Sequence, residues 1–313
     1  MKNPVSDILM FIALITAIVL AVLPLTQSVP ASTQSSVLSP QSSPPALSFL
    51  VGVWRQPASS LAVWKARGVN AVVGTVLTPD CPTDAAYVAV AHALKLYVIA
   101  PCPEADALEL MDEPDGHGYD AAYLRPAYQA EKNSARRPVF LNLDGGRIPW
   151  TDASDYTDYG GVCDWLAFDY YPLNRGDGAG AIIRLANGLD KIRLAAPGKR
   201  YMVFIECSNQ QLNLAPYLAG TPQGVAARGP VPGEMQQEID AAVSHGATGL
   251  VYFPDAIGRG WLRFDDTPPD IAAAMPGIYA KLTATGAVPA ATALPLEGKA
   301  VTIDGHDYWL RRN

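Results

Sequence analysis

The chain has few of the residues that metal, redox and nucleic-acid sites require. It contains 4 cysteines and 4 histidines among 313 residues, and no CxxC pair or Cys/His cluster has the spacing of metal ligands. Its 23 Lys and Arg residues form no basic run, and the formal net charge is −7. Nucleic-acid binding is disfavoured, because it needs clustered cations against phosphates. We expect no nucleic-acid partner, no metal and no cofactor.

Two catalytic signatures are also missing. No Gly-x-Ser-x-Gly elbow is present, so a Ser-His-Asp hydrolase is not supported. No Gly-rich phosphate loop follows the first predicted strand, where the chain reads Val53-Trp54-Arg55-Gln56-Pro57; an open doubly wound sheet therefore lacks support. Apolar residues make up 49% of the chain and charged residues 17%, which allows a sizeable core in one large α/β domain.

The N-terminus begins with an apolar segment, Ile8 to Leu25, preceded by Lys2 and followed by small residues at Val29 and Ala31. We interpret residues 1–31 as a secretory signal or as an uncleaved membrane anchor, because the segment is nearly long enough to span a bilayer. Both interpretations predict a secreted or periplasmic protein, attached to the membrane if the anchor is retained. Residues 32–48 are rich in Ser and Pro and are predicted to be a flexible linker.

Eight short apolar runs follow, most of them separated by helical patterns. Continuously apolar runs are typical of parallel strands that helices cover on the outside, and their repeated alternation with helices predicts a (β/α)8 TIM barrel over residues 49–282. The predicted strands are Phe49–Trp54, Ala71–Val76, Leu96–Ala100, Ala107–Met111, Val139–Leu143, Trp165–Asp169, Met202–Ile205 and Gly249–Phe253.

One repeat of this pattern is too short, and one segment lies outside it. Only Pro101 to Asp106 separates strands three and four, whereas a parallel crossover normally takes a dozen residues or more; the third helix must be reduced to a turn or absent. Residues 283–313 are predicted to be a linker and a C-terminal β-hairpin, because Asp304-Gly305 lies between two alternating runs. An isolated hairpin is marginal in water, so we expect it to pack on the barrel or on another domain or chain.

The cysteines leave two alternatives open. Cys81 and Cys102 follow strands two and three, so they share one rim of the predicted barrel and could form a disulfide in an exported protein. Cys163 precedes strand six, and Cys207 is adjacent to Glu206. The other alternative is four buried free thiols.

Carboxylates, an amide and aromatic rings gather where the predicted strands end. The catalytic groups of parallel barrels come from this end, and carboxylates beside aromatic rings suit the hydroxyl edges and apolar faces of sugars. The candidate site residues are Trp54, Asp112, Glu113, Asp115, Asn142, Asp169, Tyr171, Glu206, Tyr252 and Trp261.

Asp112-Glu113-Pro114, at the end of strand four, resembles the Asn-Glu-Pro of clan A glycoside hydrolases. Together with Asp169-Tyr170-Tyr171-Pro172 and Ile205-Glu206, it is similar to uncharacterised bacterial glycoside-hydrolase-like barrels. The resemblance implies that Glu113 is the general acid/base and that Glu206, at the end of strand seven, is the nucleophile. Asp112 stands where the clan commonly has Asn; an ionised Asp cannot donate a hydrogen bond, which bears on the substrate more than on the reaction.

The resemblance predicts a retaining glycoside hydrolase that cleaves O-glycosidic bonds of an oligosaccharide or polysaccharide by double displacement. The carboxyl groups of Glu113 and Glu206 would then lie about 5–5.5 Å apart. Asp112, Asp115, Asn142, Asp169 and Tyr171 would orient sugar hydroxyls or the nucleophile, and the aromatic rings of Trp54, Tyr252 and Trp261 would form stacking walls. The alternative is a barrel that binds a glycan or a cell-envelope partner without catalysis, because this fold hosts unrelated functions. The oligomeric state is not indicated.

Overall fold

Eight parallel strands form one sheet in the computed structural model, which describes residues 49–135, 137–146, 148, 156–175, 181–209, 229–254, 265–284, 298–303 and 306–311. Their order is β3-β2-β1-β8-β7-β6-β5-β4. The strands are β1 (Leu50–Trp54), β2 (Ala71–Val73), β3 (Tyr97–Ile99), β4 (Leu108–Asp112), β5 (Val139–Leu143), β6 (Trp165–Phe168), β7 (Arg200–Glu206) and β8 (Gly249–Phe253).

The sheet closes on itself between β3 and β4. A single parallel bridge pairs Ile99 with Ala107, and the Ala100 N–H donates to the Ala107 carbonyl at 3.0 Å on the same seam. The predicted (β/α)8 barrel is therefore confirmed.

Helices alternate with the strands as predicted. Two of them begin at side-chain caps: Thr83 accepts a hydrogen bond from the Ala86 N–H at 3.2 Å, and Asp120 accepts one from the Tyr123 N–H at 2.9 Å. Such caps satisfy N–H groups that the first turn leaves unpaired. The helices are α1 (Leu61–Ala66), α2 (Asp84–Ala93), α3 (Ala121–Asn133), α4 (Thr157–Gly160), α5 (Pro172–Arg175), α6 (Ala181–Ala195), α7 (Pro232–Ser244) and α8 (Pro269–Ala284).

Side chains of alternate strand residues divide between two buried layers, as the period of two in a strand requires. On β7, Met202 and Phe204 lie in the cluster that fills the barrel, whereas Val203 and Ile205 lie in the larger cluster between the sheet and the helices. Polar residues at the ends of inward-facing rows therefore meet at the mouth of the barrel.

The connection between β3 and β4 contains no helix, which confirms the reduced third repeat. The side chain of Arg137, just before β5, holds this connection: its Nη1 donates to the carbonyls of Cys102 at 2.6 Å, Ala105 at 3.0 Å and Pro103 at 3.2 Å. Glu131 on α3 accepts from the Nε and Nη2 of the same guanidinium at 2.8 and 2.9 Å. One half-buried guanidinium thus stabilises a segment that lacks regular structure.

All four cysteines are buried free thiols, so the structure has no Cys81–Cys102 disulfide and matches the alternative of four free thiols. Burial raises the pKa of the Cys163 thiol to about 12 and raises the pKa of Cys207 as well. Thiols of this kind are poor nucleophiles, because the thiolate is the reactive form.

The predicted signal or anchor at 1–31 and the linker at 32–48 lie outside the described residues. Within the described part of the chain, no helix is both long and apolar enough to cross a membrane. The C-terminal hairpin is confirmed: β9 (Gly298–Ile303) pairs antiparallel with β10 (His306–Arg311). Its backbone lies near α6, as expected for a hairpin packed on the barrel. The predicted turn residues Asp304 and Gly305 are outside the described residues.

Candidate functional site

The end of β4 departs from regular pairing. Its register against β5 shifts between Glu109 and Asp112, and Asp112 then pairs with Asn142. Such an irregularity re-aims the side chains that follow it. Met111 packs with the outer layer, while Asp112 turns inward toward β5.

Asn142 connects carboxylates from two strands. It is 1% exposed, and its Nδ2 donates to Asp112 Oδ1 at 2.9 Å and to Asp169 Oδ2 at 3.1 Å. The end of β4, the middle of β5 and the residue after β6 are therefore tied together at the mouth. An amide can donate to both carboxylates at once, which a carboxylate at 142 could not do.

The carboxyl groups of Glu113 and Asp169 lie side by side at the mouth, with oxygens within 4.8 Å of each other. Burial, followed by the hydrogen bond and negative charge of Glu113, raises the pKa of Asp169 well above its usual range. Because two adjacent carboxyl groups cannot both ionise cheaply, the arrangement favours the protonated form of Asp169. The Gly145 N–H, which donates to Asp169 Oδ1 at 3.0 Å, fixes the orientation of the Asp169 carboxyl group.

The backbone of Glu113 is in the left-handed region, with a φ of 44°. The Glu113 N–H nevertheless donates to the Asn142 carbonyl at 3.0 Å, and its carbonyl accepts from the His117 N–H at 3.0 Å. A left-handed conformation is unfavourable for a residue with a Cβ and is concentrated at functional sites.

Two further aspartates adjoin the pair. Asp144 places a carboxylate oxygen within 4.8 Å of oxygens of both Glu113 and Asp169. Asp115 accepts a hydrogen bond from the Asp144 N–H at 2.8 Å, and burial raises the pKa of Asp115. Oxygens at these separations form a donor set that a hard divalent cation accepts. The absence of a metal stays a prediction of the sequence.

Glu206 ends β7 on the inward-facing row and is fully buried. Its Oε1 accepts from the Leu173 N–H at 2.6 Å, and its Oε2 accepts from the Asn174 N–H at 2.7 Å. The Asn174 side-chain amide donates to Oε2 as well. Donors to both oxygens favour the ionised carboxylate. They also hold it against α5, the segment that follows β6.

A second carboxyl group lies behind Glu206. Glu238 on α7 is fully buried, and its Oε2 accepts from the Glu206 N–H at 3.2 Å. Its Oε1 has no hydrogen-bond partner among the described residues. Burial and the charge of Glu206 raise the pKa of Glu238 well above its usual range. This environment favours the neutral form of Glu238, while the donors to both oxygens of Glu206 favour its ionised form.

Glu109 is an ionisable group inside the barrel, on the inward row of β4. It is 5% exposed, and its nearest cation is Arg55, with Nη2 at 3.8 Å from Glu109 Oε1. Burial raises the pKa of Glu109 to about 7; Arg55 lowers it and Asp112 raises it. The Arg55 guanidinium in turn lies 4.7 Å above the centre of the Trp54 ring.

The predicted aromatic residues occupy different places. Tyr171 lies half-buried at the mouth, 5.1 Å from the Phe253 ring; burial and then the charges of Asp169, Asp112, Glu113 and Glu206 raise its pKa. Trp54 belongs to the inner core, and Tyr252 lies in the outer core with no exposure. The structure thus brings Tyr171, but not Tyr252, to the carboxylates. Trp261 lies outside the described residues.

Sequence reasoning missed Glu109, Asn174 and Glu238. A signal existed for two of them. Glu109 interrupts an apolar strand, and Glu238 lies three residues after Met235 and four before Ala242, both buried on α7. A carboxyl group on an apolar helix face or inside a strand indicates a special environment, since Glu is rarely buried without a partner. No pattern in the sequence singles out Asn174.

No protein-family model and no curated protein sequence matches the chain. Among solved structures, it is similar to a β-D-glucuronidase from Dictyoglomus thermophilum, with 12% identity, a TM-score of 0.50, and coverage of 75% of this chain and 51% of that one. It is also similar to a GH113 β-mannanase from Alicyclobacillus acidocaldarius, with 13% identity, a TM-score of 0.47, and coverage of 77% and 99%. What they share is the barrel fold.

The fold does not select the chemistry by itself. Unrelated reactions recur on this barrel. The function must therefore be inferred from the carboxyl groups at the mouth.

Proposed function

We propose that the protein is a glycoside hydrolase that cleaves O-glycosidic bonds of an oligosaccharide or polysaccharide. The observation that carries the proposal is the adjacent pair of carboxyl groups, Glu113 and Asp169, at the mouth of the barrel. Glycosidic oxygens are poor leaving groups unless they are protonated, and a carboxyl group that keeps its proton near neutral pH can supply one. Carbohydrate is the substrate class that this chemistry fits.

The proton leaves from the Glu113 end of the pair in this proposal. Asn142 and Gly145 hold Asp169 by N–H donors on both of its oxygens, so Asp169 is fixed while Glu113 can turn to the leaving oxygen. After the leaving group departs, the ionised pair accepts a proton from water. Activity should therefore fall as the pH rises through the raised pKa of Asp169, because the pair then has no proton to give.

Glu206 is the proposed nucleophile of a double displacement. It is the second carboxyl group on an inward row of the mouth, and Tyr171 lies in the electrostatic field of both Glu113 and Glu206. For attack on the anomeric carbon, one Glu206 oxygen must give up its hydrogen bonds from α5 and contact the substrate instead. The product would keep the anomeric configuration of the substrate.

A barrel that binds glycan without cleaving it is the second candidate. The complete burial of Glu206, with its oxygens engaged by Leu173 and Asn174, favours it. In that case Glu206 would hold the β6–α5 segment in place, and the mouth carboxylates would only accept hydrogen bonds from sugar hydroxyls.

One set of variants separates the candidates. The full chain and its Glu113→Gln, Asp169→Asn and Glu206→Gln variants would be assayed against aryl glycosides and soluble polysaccharides, with Glu104→Gln, an exposed site on the β3–β4 connection, as matched control. We expect Glu113→Gln to lower kcat/KM about 10²- to 10⁴-fold for substrates with poor leaving groups. The control should be unchanged.

The outcomes differ clearly. Unchanged activity of Glu113→Gln would refute the acid role. Full activity of Glu206→Gln, or an inverted anomer in the product by NMR, would refute double displacement and leave the hydrolase in place. Binding without turnover of any substrate would establish the second candidate.

A further inference from the structure

Two exposed tyrosines lie beside the carboxylates on the same face of the barrel. Tyr119 is 39% exposed and Tyr123 is 63% exposed, and their rings stack with centroids 4.6 Å apart and planes inclined by 30°. Among the described residues, the other large apolar side chains with this exposure are aliphatic. Stacking across the first turn of α3 can help to fix the start of that helix, but it leaves much of both rings exposed to a ligand.

The segment from Glu113 to Tyr119 is a tight turn that fixes the distance between the tyrosines and the acid. The Tyr119 N–H donates to the Pro114 carbonyl at 2.8 Å, and the His117 N–H donates to the Glu113 carbonyl at 3.0 Å. From the other side, the Tyr159 hydroxyl donates to the Tyr119 carbonyl at 2.6 Å. The ring pair is therefore held at a set position next to the mouth, since α3 begins at the carboxyl end of β4.

The chemistry of this surface favours a sugar ring as the occupant. Aromatic faces stack on the apolar faces of sugars, while polar groups nearby accept the hydroxyl hydrogens. The exposed neighbours Gly116, His117, Gly118 and Asp120 leave the approach open. The mouth adjoining it also carries the carboxyl groups of Asp112 and Asp144, an acidic surrounding that disfavours an anionic polymer.

We propose that Tyr119 and Tyr123 form a stacking platform for a neutral polysaccharide, which holds the part of the chain that extends from the mouth along α3. This inference rests on the proposed carbohydrate substrate. It adds the substrate's charge class and a binding site that is separate from the reacting carboxylates. Tyr123, the more exposed ring, offers its outer face to the sugar.

Affinity electrophoresis of the full chain tests the proposal without any need for turnover. Gels would contain hydroxyethylcellulose, glucomannan or dextran as neutral probes and polygalacturonate as the acidic probe. We expect retardation by at least one neutral probe and none by polygalacturonate. Tyr123→Ala and Tyr119→Ala should each weaken binding by roughly tenfold, the scale of one lost aromatic stacking contact with its buried area.

Two controls separate stacking from damage to the fold. Tyr123→Phe keeps the ring and should bind within about twofold of the unaltered chain, since the stacking face is unchanged. Leu194→Ala removes an equally exposed apolar side chain, 60% exposed near the end of α6, at the opposite rim of the barrel. Thermal unfolding would confirm that each variant is folded.

Equal retardation of Tyr123→Ala and Leu194→Ala would overturn the platform, as would retardation by polygalacturonate alone or by no probe. The reaction is judged separately, by the Glu113→Gln and Glu206→Gln assays. A chain that binds through the tyrosines and cleaves nothing would refute the hydrolase and leave the platform standing.

Discussion

Replacing Glu238 by Gln should flatten the pH dependence of stability. The pKa of Glu238 is raised in the folded protein by burial and by the charge of Glu206, whereas an unfolded Glu titrates near pH 4.3. Between these two values the folded chain binds one more proton than the unfolded chain. The stability that this proton contributes is fully present below the unfolded pKa and is lost as the pH rises through the folded one.

The size of the effect follows from one proton. Each pH unit in this interval removes about 1.36 kcal/mol from the free energy of unfolding. The unaltered chain should therefore lose stability relative to Glu238→Gln with at most this slope as the pH rises between the unfolded and the folded pKa. Gln has nearly the shape of protonated Glu and does not ionise, so its oxygen can still accept from the Glu206 N–H.

Urea unfolding at closely spaced pH values, followed by tryptophan fluorescence, measures this difference. Glu131→Gln is the matched control of opposite sign, because the hydrogen bond from Arg137 lowers the pKa of Glu131. That variant should lose stability relative to the unaltered chain at neutral pH, and the deficit should shrink as the pH falls. Parallel stability curves for Glu238→Gln and the unaltered chain would refute a protonated Glu238.

Three other substitutions or treatments have defined outcomes. Arg137→Ala removes the donor to three carbonyls of the β3–β4 connection and leaves Glu131 without its guanidinium, with only the backbone N–H of residue 137 still donating to it. We therefore expect a loss of about 3–5 kcal/mol by urea unfolding. A loss below about 1 kcal/mol would mean that the connection is stable without this side chain. Gly145→Ala would place a Cβ 2.4 Å from the Tyr170 nitrogen and should cost about 1–3 kcal/mol and shift Asp169, whereas Gly233→Ala, which meets open space, should not. The native chain should leave all four thiols unreacted with a disulfide reagent at pH 8 and expose four on denaturation; rapid native labelling would contradict their burial.

The strand pattern was predictable because parallel strands buried on both sides are continuously apolar. The bounds of β5 and β8 agree with the prediction to the residue. Strand β2 is shorter than predicted: it ends at Val73, and Gly74 then takes a φ of 78°. Strand β7 is longer, since Arg200 pairs with Trp165 and its guanidinium lies 5.3 Å above that indole ring. The prediction began this strand at Met202, because the charged Arg200 does not continue the apolar pattern.

The site was predictable only in part. Counting strands placed Glu113 and Asp169 on one rim, but strict alternation along β4 would have pointed Met111 inward. The register shift before Asp112 exchanges the inward and outward positions at the end of β4, so that Met111 faces outward and Asp112 inward. No turn residue marks this shift in the sequence. The pairing of Glu113 with Asp169 depends on this shift. Likewise, the hydrogen bonds from Asn174 to Glu206 depend on the path of the chain after β6, which local propensities do not specify.

At Glu113 the left-handed backbone favours one residue for stability, and the proposed reaction requires another. Glycine would relax that φ of 44° by about 1–2 kcal/mol, and it would remove the carboxyl group that the proposed reaction requires. A library randomised at position 113 should therefore split under two selections. Selection for heat resistance should enrich glycine at this position, and selection for cleavage of the proposed substrate should enrich glutamate. The difference in unfolding free energy between the two variants would measure the stability that the carboxyl group costs.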